Sequence, residues 1–461
     1  MVSTIVRYRV TAFLIMLTAI VLIITGSLRL SDLFGVSLLA AGSFLLIMGV
    51  MLLIKPSSTP RNMLGLLLLL FSFFTAAVTA GVYLNNQAVR AWGSNQFYEL
   101  GIGEIYSAAY APRTVMNPVP FDKVTATIDG LSYAIDRDGT VWAWGSNVSG
   151  ALGNGTYYDS TVPVKVLSLK EVVQVAGYDF GIALDSKQEV WTWGNNSYGQ
   201  LGNGTYDNNP VPAKVEGLNN IIAIAAKDRY CMALDSDGIV WTWGMNYFGQ
   251  LGDGTRINRN RPLQVAGLPL IKAVGSGSST SYALDRQGRV WAWGNNYYGA
   301  FGDGTYTNSY VPVLSLAKDI ISITAGSGIC YATDQDNVIW GWGYNATGGL
   351  GDGTTVTRNS PVIMDTLQDM KEISIGSHNL ALDEKGRVWV WGANYLGSLG
   401  NGQDGIIHYI TPTLFKDVSN VTELSAGTHN LVIEELPIPP MIVAIIIAVI
   451  LFITGILLWF I

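Results

Sequence analysis

The chain has 461 residues, 49% of them hydrophobic and only 13% charged, with 27 basic and 34 acidic groups. Five of the basic groups and a single acid, Asp32, fall in residues 1–84, which leaves the rest of the chain at a balance of −11. An acidic body with no basic run is a poor match for a phosphate backbone, so nucleic acid is not expected among its partners.

In chain order, the first element is an apolar run, Val10–Leu28, behind Arg7 and Arg9. A signal peptide is the rival reading, but no small-residue cleavage site follows and two more apolar runs do. Leu33–Ile54 and Met63–Leu84 are each long enough to cross ~30 Å of hydrocarbon as helix. Gly35, Gly42 and Gly49 share one face of the second run, as close helix packing requires. Arg7, Arg9, Lys55 and Arg61 flank one side of these runs and only Arg29 the other. Positive-inside logic therefore sends the third helix outward and places the following body outside the cytoplasm. Three proline residues, Pro437, Pro439 and Pro440, precede a charge-free fourth span, Met441–Ile461.

Between these ends one string keeps returning. It reads VWTWGNNSYGQLGNGT at Val190–Thr205, VWTWGMNYFGQLGDGT at Val240–Thr255 and VWAWGNNYYGAFGDGT at Val290–Thr305. Its Trp-Gly pairs begin at Trp92, Trp144, Trp193, Trp243, Trp293, Trp342 and Trp391, where a structural repeat role is expected for the Trp. The period of about fifty residues marks one supersecondary unit repeated in a ring or stack. Each unit reads as four short strands: two alternating small-apolar segments, a turn such as Asp235–Gly238, the Trp strand, and an outer strand carrying Pro. Strands this short bury nothing alone, so neighbouring units must pack face to face. The first copy, at Val89, is a Trp-Gly half with Arg90 in place of the first Trp, and the last, Glu423–Ile433, is a Gly-rich half. Pairing these halves closes a ring and removes its free edges. The expected fold is an all-β seven-bladed propeller over residues 85–436, with transmembrane helices at 10–28, 33–54, 63–84 and 441–461.

The Trp-Gly-x-Asn-x-x-Gly-x-Leu-Gly-x-Gly string, followed by Pro-Val and a Gly-x-x-His-x-x-x-Leu half, resembles the regulator-of-chromosome-condensation repeat. The resemblance runs from about Val89 to Ile433 and implies a seven-bladed propeller used as a binding platform. In that family the founding eukaryotic member exchanges nucleotide on a nuclear small GTPase and docks on chromatin, and secreted bacterial relatives bind proteins through one propeller face. Exchange in the family depends on an inserted wedge. Here the Trp-Gly intervals stay near fifty throughout, leaving no room for a large insertion.

The residues offer little for catalysis. His378 and His429 fall in the repeat's own His column and His408 lies in a loop. Cys231 and Cys330 occupy one column two blades apart, too far for a disulfide, so two buried free thiols are expected. Asp253, Asp303 and Asp352 alternate with Asn154, Asn203 and Asn401 at one turn position, as turn residues do and calcium ligands do not. No nucleophile–base pair, phosphate loop or metal spacing is present. Neither enzyme activity nor a cofactor or metal is expected. Asn147, Asn154, Asn195, Asn203, Asn345 and Asn420 satisfy the glycosylation pattern, but the repeat itself generates most of these matches.

The remaining signal is aromatic. Tyr198, Tyr247, Phe248, Tyr297, Tyr298 and Tyr395 follow the Trp-Gly pairs, and Tyr157, Tyr158, Tyr206, Tyr306, Tyr310 and Tyr409 lie just past the Gly-Thr turns. Tyr supplies large contact area with few rotors and a polar tip, which suits an interface. Packing between adjacent loops is the other reading of the same residues, and sugars would stack on them as well as a protein would. The sequence thus points to a membrane-tethered, extracytoplasmic, non-catalytic platform for protein or glycan, of bacterial character in its compact repeats. A cytoplasm-facing regulator of a small GTPase is the alternative, with a cell-wall-active enzyme behind it.

Overall fold

A computed structural model describes residues 87–403 and 407–437. The four predicted transmembrane segments, 10–28, 33–54, 63–84 and 441–461, lie outside the described residues. Among the described residues there is no helix long and apolar enough to cross a membrane. The propeller, Ala88–Asn117 with Phe121–Glu435, is one compact unit.

The described strands form seven four-stranded antiparallel sheets. Blades 1 to 6 are continuous in sequence, spanning residues 121–165, 172–214, 221–264, 271–314, 320–363 and 370–415. Blade 7 is composite: Val421–Ala426 and His429–Glu435 from late in the chain are extended by Gln87–Ser94 and Ala108–Thr114 from early in it. We label the strands of each blade a to d from the central channel outward. Antiparallel pairing puts the a–b turns and c–d loops on one face, here the loop face, and the b–c hairpins on the other.

Hydrophobic clusters form between blades rather than within them. The cluster of blade 2 residues Phe180, Ile182, Leu184 and Val190 also takes Ile221, Ile224 and Trp243 from blade 3. Every second Trp of the Trp-x-Trp strand is fully buried, Trp92 included. A buried indole needs an acceptor for its N–H. Each finds one in the preceding blade: Trp144 donates to Glu99 O at 2.8 Å, Trp243 to Gln200 O at 2.9 Å and Trp391 to Gly349 O at 2.9 Å. Trp92 donates to Ser398 O at 3.1 Å, carrying the same bond across the seam between blades 6 and 7.

The first Trp has a different task. Asp235 Oδ1 accepts from the backbone N–H groups of Asp237 and Ile239, while its Oδ2 accepts from Trp241 Nε1 at 3.0 Å. The same arrangement recurs at Asp136/Trp142, Asp185/Trp191, Asp285/Trp291, Asp334/Trp340 and Asp383/Trp389. In blade 7, Arg90 stands in the Trp column and Glu434 in the Asp column. The hydrogen bond becomes an ion pair, Arg90 Nε to Glu434 Oε2 at 3.0 Å.

Candidate functional site

The c–d loops are held by the Asn of Trp-Gly-x-Asn. Asn246 Oδ1 accepts from Leu251 N, and its Nδ2 donates to Asp253 Oδ1, Thr255 O and Ile257 O. The residue is fully buried, as are its equivalents Asn147 and Asn345, so those two glycosylation patterns are closed to a glycosylating enzyme in the folded protein. Asp253 and Asp352 fix the following Gly-Thr turn and pair with Arg259 and Arg358. Among the described residues no cluster of His, Cys, Asp or Glu could hold a metal.

This rigid frame presents aromatic rings outward. Tyr198 of blade 2 meets Tyr247 of blade 3 edge-on, with centroids 5.6 Å apart and planes at 89°. Phe248 of blade 3 meets Tyr297 of blade 4 at 6.1 Å and 85°, and Tyr298 of blade 4 meets Tyr344 of blade 5 at 4.8 Å and 63°. Edge-to-face geometry satisfies the ring quadrupoles. The outcome is an arc of aromatic pairs stepping across the seams from blade 2 to blade 5. Pairing leaves one ring of each pair exposed, Tyr247 at 47%, Tyr297 at 61% and Tyr298 at 50%, while Tyr198, Phe248 and Tyr344 are partly buried.

The other aromatics predicted from sequence do not join the arc. Tyr395 pairs with His408 in blade 6, and Tyr157, Tyr158, Tyr206 and Tyr306 are exposed without ring partners among the described residues. Tyr310 lies over Gly249 of the preceding blade, where a Cβ on that glycine would meet its ring at 2.4 Å. Tyr409 is half-buried, accepts from Asn401 Nδ2 at 3.2 Å and packs on the core. Tyr344 was missed because it precedes the repeat's Asn. In blade 5 that loop reads Tyr-Asn-Ala-Thr, and Tyr344 replaces the aromatic its neighbours carry two residues later.

Inside the arc the a–b turns form a polar rim. Asp129 of blade 1 lies beside Tyr178 of blade 2. Asp179 accepts from Arg229 Nε of blade 3 at 2.8 Å and from Asn195 at 3.0 Å, and Asp228 accepts from Ser279 of blade 4 at 2.9 Å. Burial, with Asp179 adjacent, pushes the Asp129 carboxyl up to about 6. Burial also raises Asp179, against the pull of Arg229. The Arg229 guanidinium sits 5.4 Å from the Tyr178 ring centroid and 5.5 Å from that of Tyr198, linking rim to arc. Lys227 turns away, reaching Ile375 O at 2.5 Å, from blade 3 to blade 6.

His378 and His429 bridge blades, and Cys231 and Cys330 pack in the core. His378 Nε2 meets Asn430 Oδ1 and His429 Nε2 meets Ser132 Oγ, each across a seam of blade 7. Cys231 and Cys330 are both buried and free.

The regulator of chromosome condensation (RCC1) repeat matches at residues 138–184, 188–234, 237–284, 287–333, 336–382 and 385–433. The chain belongs to the RCC1 repeat family. Its fold resembles those of two solved structures. Human WBSCR16 is 21% identical with a TM-score of 0.67, over 76% of this chain and 99% of that one. Prp20p of Saccharomyces cerevisiae is 22% identical with a TM-score of 0.69, over 76% of this chain and 92% of that one. At these identities the likeness concerns the fold. Two curated proteins match over shorter stretches, each 33% identical. One is the probable E3 ubiquitin-protein ligase HERC6 of Homo sapiens, over 104 residues, 21% of this chain. The other is the guanine nucleotide exchange factor SRM1 of S. cerevisiae, over 82 residues, 16% of this chain. The matched stretches span 10% and 17% of those relatives' own lengths.

Proposed function

We infer that this RCC1-repeat propeller is a non-catalytic binding platform whose working surface is the loop face. The observation that carries the reading is the aromatic arc of blades 2 to 5. Tyr247, Tyr297 and Tyr298 are ordered by their partly buried neighbours and still about half exposed, which is the pre-organised aromatic area that interfaces use. The four apolar segments support a membrane tether, and their flanking charges support an extracytoplasmic propeller.

Proximity labelling from the full chain in intact cells tests this, comparing wild type with Tyr198→Ala/Tyr247→Ala/Tyr297→Ala. Neighbours labelled by wild type and lost in the variant are expected; an unchanged set refutes the platform. Cleavable sites placed beside Asn86 and Leu436 report sidedness. Cutting in intact cells is expected, whereas protection until lysis overturns the outward orientation. A second reading, regulation of a small GTPase, draws support from the exchange-factor relative and requires a cytoplasmic propeller. Protection would bring it to first place.

A further inference from the structure

We propose that the loop face of blades 2 to 5 receives an extended, arginine-bearing peptide segment, whose guanidinium groups lie on the aromatic arc beside the acidic rim. The proposal rests on the platform reading and specifies the chemistry of the partner.

The face already seats one guanidinium in this manner. Arg229 lies within 5.5 Å of two ring centroids, Tyr178 and Tyr198, while its Nε holds Asp179. Stacking on an aromatic ring combined with a carboxylate partner is the arrangement that suits the planar guanidinium better than an ammonium. The further pairs, Phe248/Tyr297 and Tyr298/Tyr344, offer the same kind of ring surface, and among the described residues no cation lies over them.

Charge favours the same partner. The rim sets Asp129, Asp179 and Asp228 against Arg229, because Lys227 is turned across the channel to Ile375 O. Among the basic residues of the c–d loops and outer strands, Arg259 and Arg358 are held in ion pairs with Asp253 and Asp352 and Arg256 donates to Tyr247 O, while Arg261 lies over Gly204 of blade 2. The body beyond residue 84 has a balance of −11, which steers a cationic segment toward it. A neutral glycan would stack on the rings and donate hydroxyls to the carboxylates, but it would gain nothing from the net negative charge. The repeated pairs, one per blade step, suit an extended chain rather than a single compact ligand.

The test uses the purified full chain in detergent and the fluorescence anisotropy of short labelled peptides in which glycine alternates with arginine, lysine, glutamine or glutamate. The arginine peptide is expected to bind most tightly and the lysine peptide more weakly. Tyr247→Ala/Tyr297→Ala is expected to weaken the arginine peptide roughly tenfold, while Tyr247→Phe/Tyr297→Phe stays within about twofold of wild type. Both positions are exposed, so neither pair of substitutions removes core. Arginine binding that is absent, or unchanged by the alanine variant, overturns the proposal. Tyrosine-dependent binding of the glutamine or glutamate peptide overturns the cationic partner and leaves the platform standing. Labelling in cells that the tyrosine substitutions leave unchanged removes the platform itself.

Discussion

Acidification is expected to loosen the two seams that close the ring, and His378 and His429 set the size of the effect. Both imidazoles are fully enclosed between blades. Ser132 Oγ donates to Glu99 O at 2.7 Å, so it accepts from His429 Nε2 at 2.6 Å. The second proton would then go to His429 Nδ1, which is buried without a partner. Burial, with His378 nearby, holds His429 down at about 3. His378 Nδ1 has Ser377 Oγ at 3.2 Å, and burial holds that ring at about 4, against a reference of 6.5. Because both folded-state values lie below the unfolded one, the unfolded chain binds protons first. Their contribution is intact above 6.5 and is lost as the pH falls toward the folded values. At about pH 5 the loss is ~2 kcal/mol per histidine.

Carboxylates act in the opposite sense. Burial and the neighbouring Glu372 push Glu423 up to about 7, and burial with Asp179 raises Asp129, so protonating these groups favours the folded state as the pH falls. Comparing wild type with His378→Gln/His429→Gln cancels that opposing part and leaves the histidines. The assay is urea unfolding of the full chain at about pH 7.5 and about pH 5, followed by tryptophan fluorescence. Of the 14 tryptophans all but Trp459 lie in the propeller, so the signal reports it. Wild type is expected to lose about 4 kcal/mol more than the variant on acidification. A difference under about 1 kcal/mol would refute the buried neutral imidazoles.

Two further experiments probe the frame. A double-mutant cycle on Arg90→Ala and Glu434→Ala is expected to give a coupling of about 1 kcal/mol, because Glu434 is nearly buried and the pair joins early and late strands of blade 7. A coupling near zero means the pair merely replaces the missing Asp/Trp bond in space and not in energy. Gly145→Ala is expected to cost more than about 2 kcal/mol, since φ is +104° and the new Cβ would lie 2.3 Å from Gly130 O. Gly217→Ala, at φ +87° with open space around it, is expected to cost about 1 kcal/mol. Equal melting temperatures for the two variants would contradict the steric part of that difference.

The repeat period and the Trp columns were readable because every blade solves the same packing problem with the same residues. The harder features depend on which residues become neighbours when the sheet closes. Arg90 looked like a defect in its own copy; its explanation, Glu434, stands 344 positions away. The Asp of the b–c hairpin in blades 1 to 6 read as a turn residue, but its second oxygen serves a Trp six positions on. For the tyrosines, interface and inter-loop packing stood as alternatives, and edge-on pairing allows both at once. Asp129, Tyr178, Asp179 and Arg229 went unremarked because each differs from the repeat consensus. In a propeller, however, residues of one column in successive copies sit side by side, as Asp179 and Arg229 do at a separation of 50. Reading the inner-turn column downward, Gly130, Asp179, Arg229, would have exposed the pair.

The seams around blade 7 and those from blade 1 to blade 4 are joined in different ways. Around blade 7 the inner turns are joined by backbone: Ser377 N donates to Gly427 O at 2.9 Å and Thr428 N to Thr127 O at 3.1 Å. A Cβ on Gly376 or Gly427 would fall 2.3 Å from Gly427 O or 2.0 Å from Thr127 O, so side chains are excluded there. The buried histidines reinforce the same seams. From blade 1 to blade 4 the inner turns are linked instead by side chains, Asp129 with Tyr178, Asp179 with Arg229 and Asp228 with Ser279. Such links adjust by rotamer, whereas the backbone bonds move only with their strands. Ring closure and surface chemistry therefore rest on different residues. The aromatic arc, spanning blades 2 to 5, overlaps the adjustable sector, where side chains on the face change without opening the closing blade.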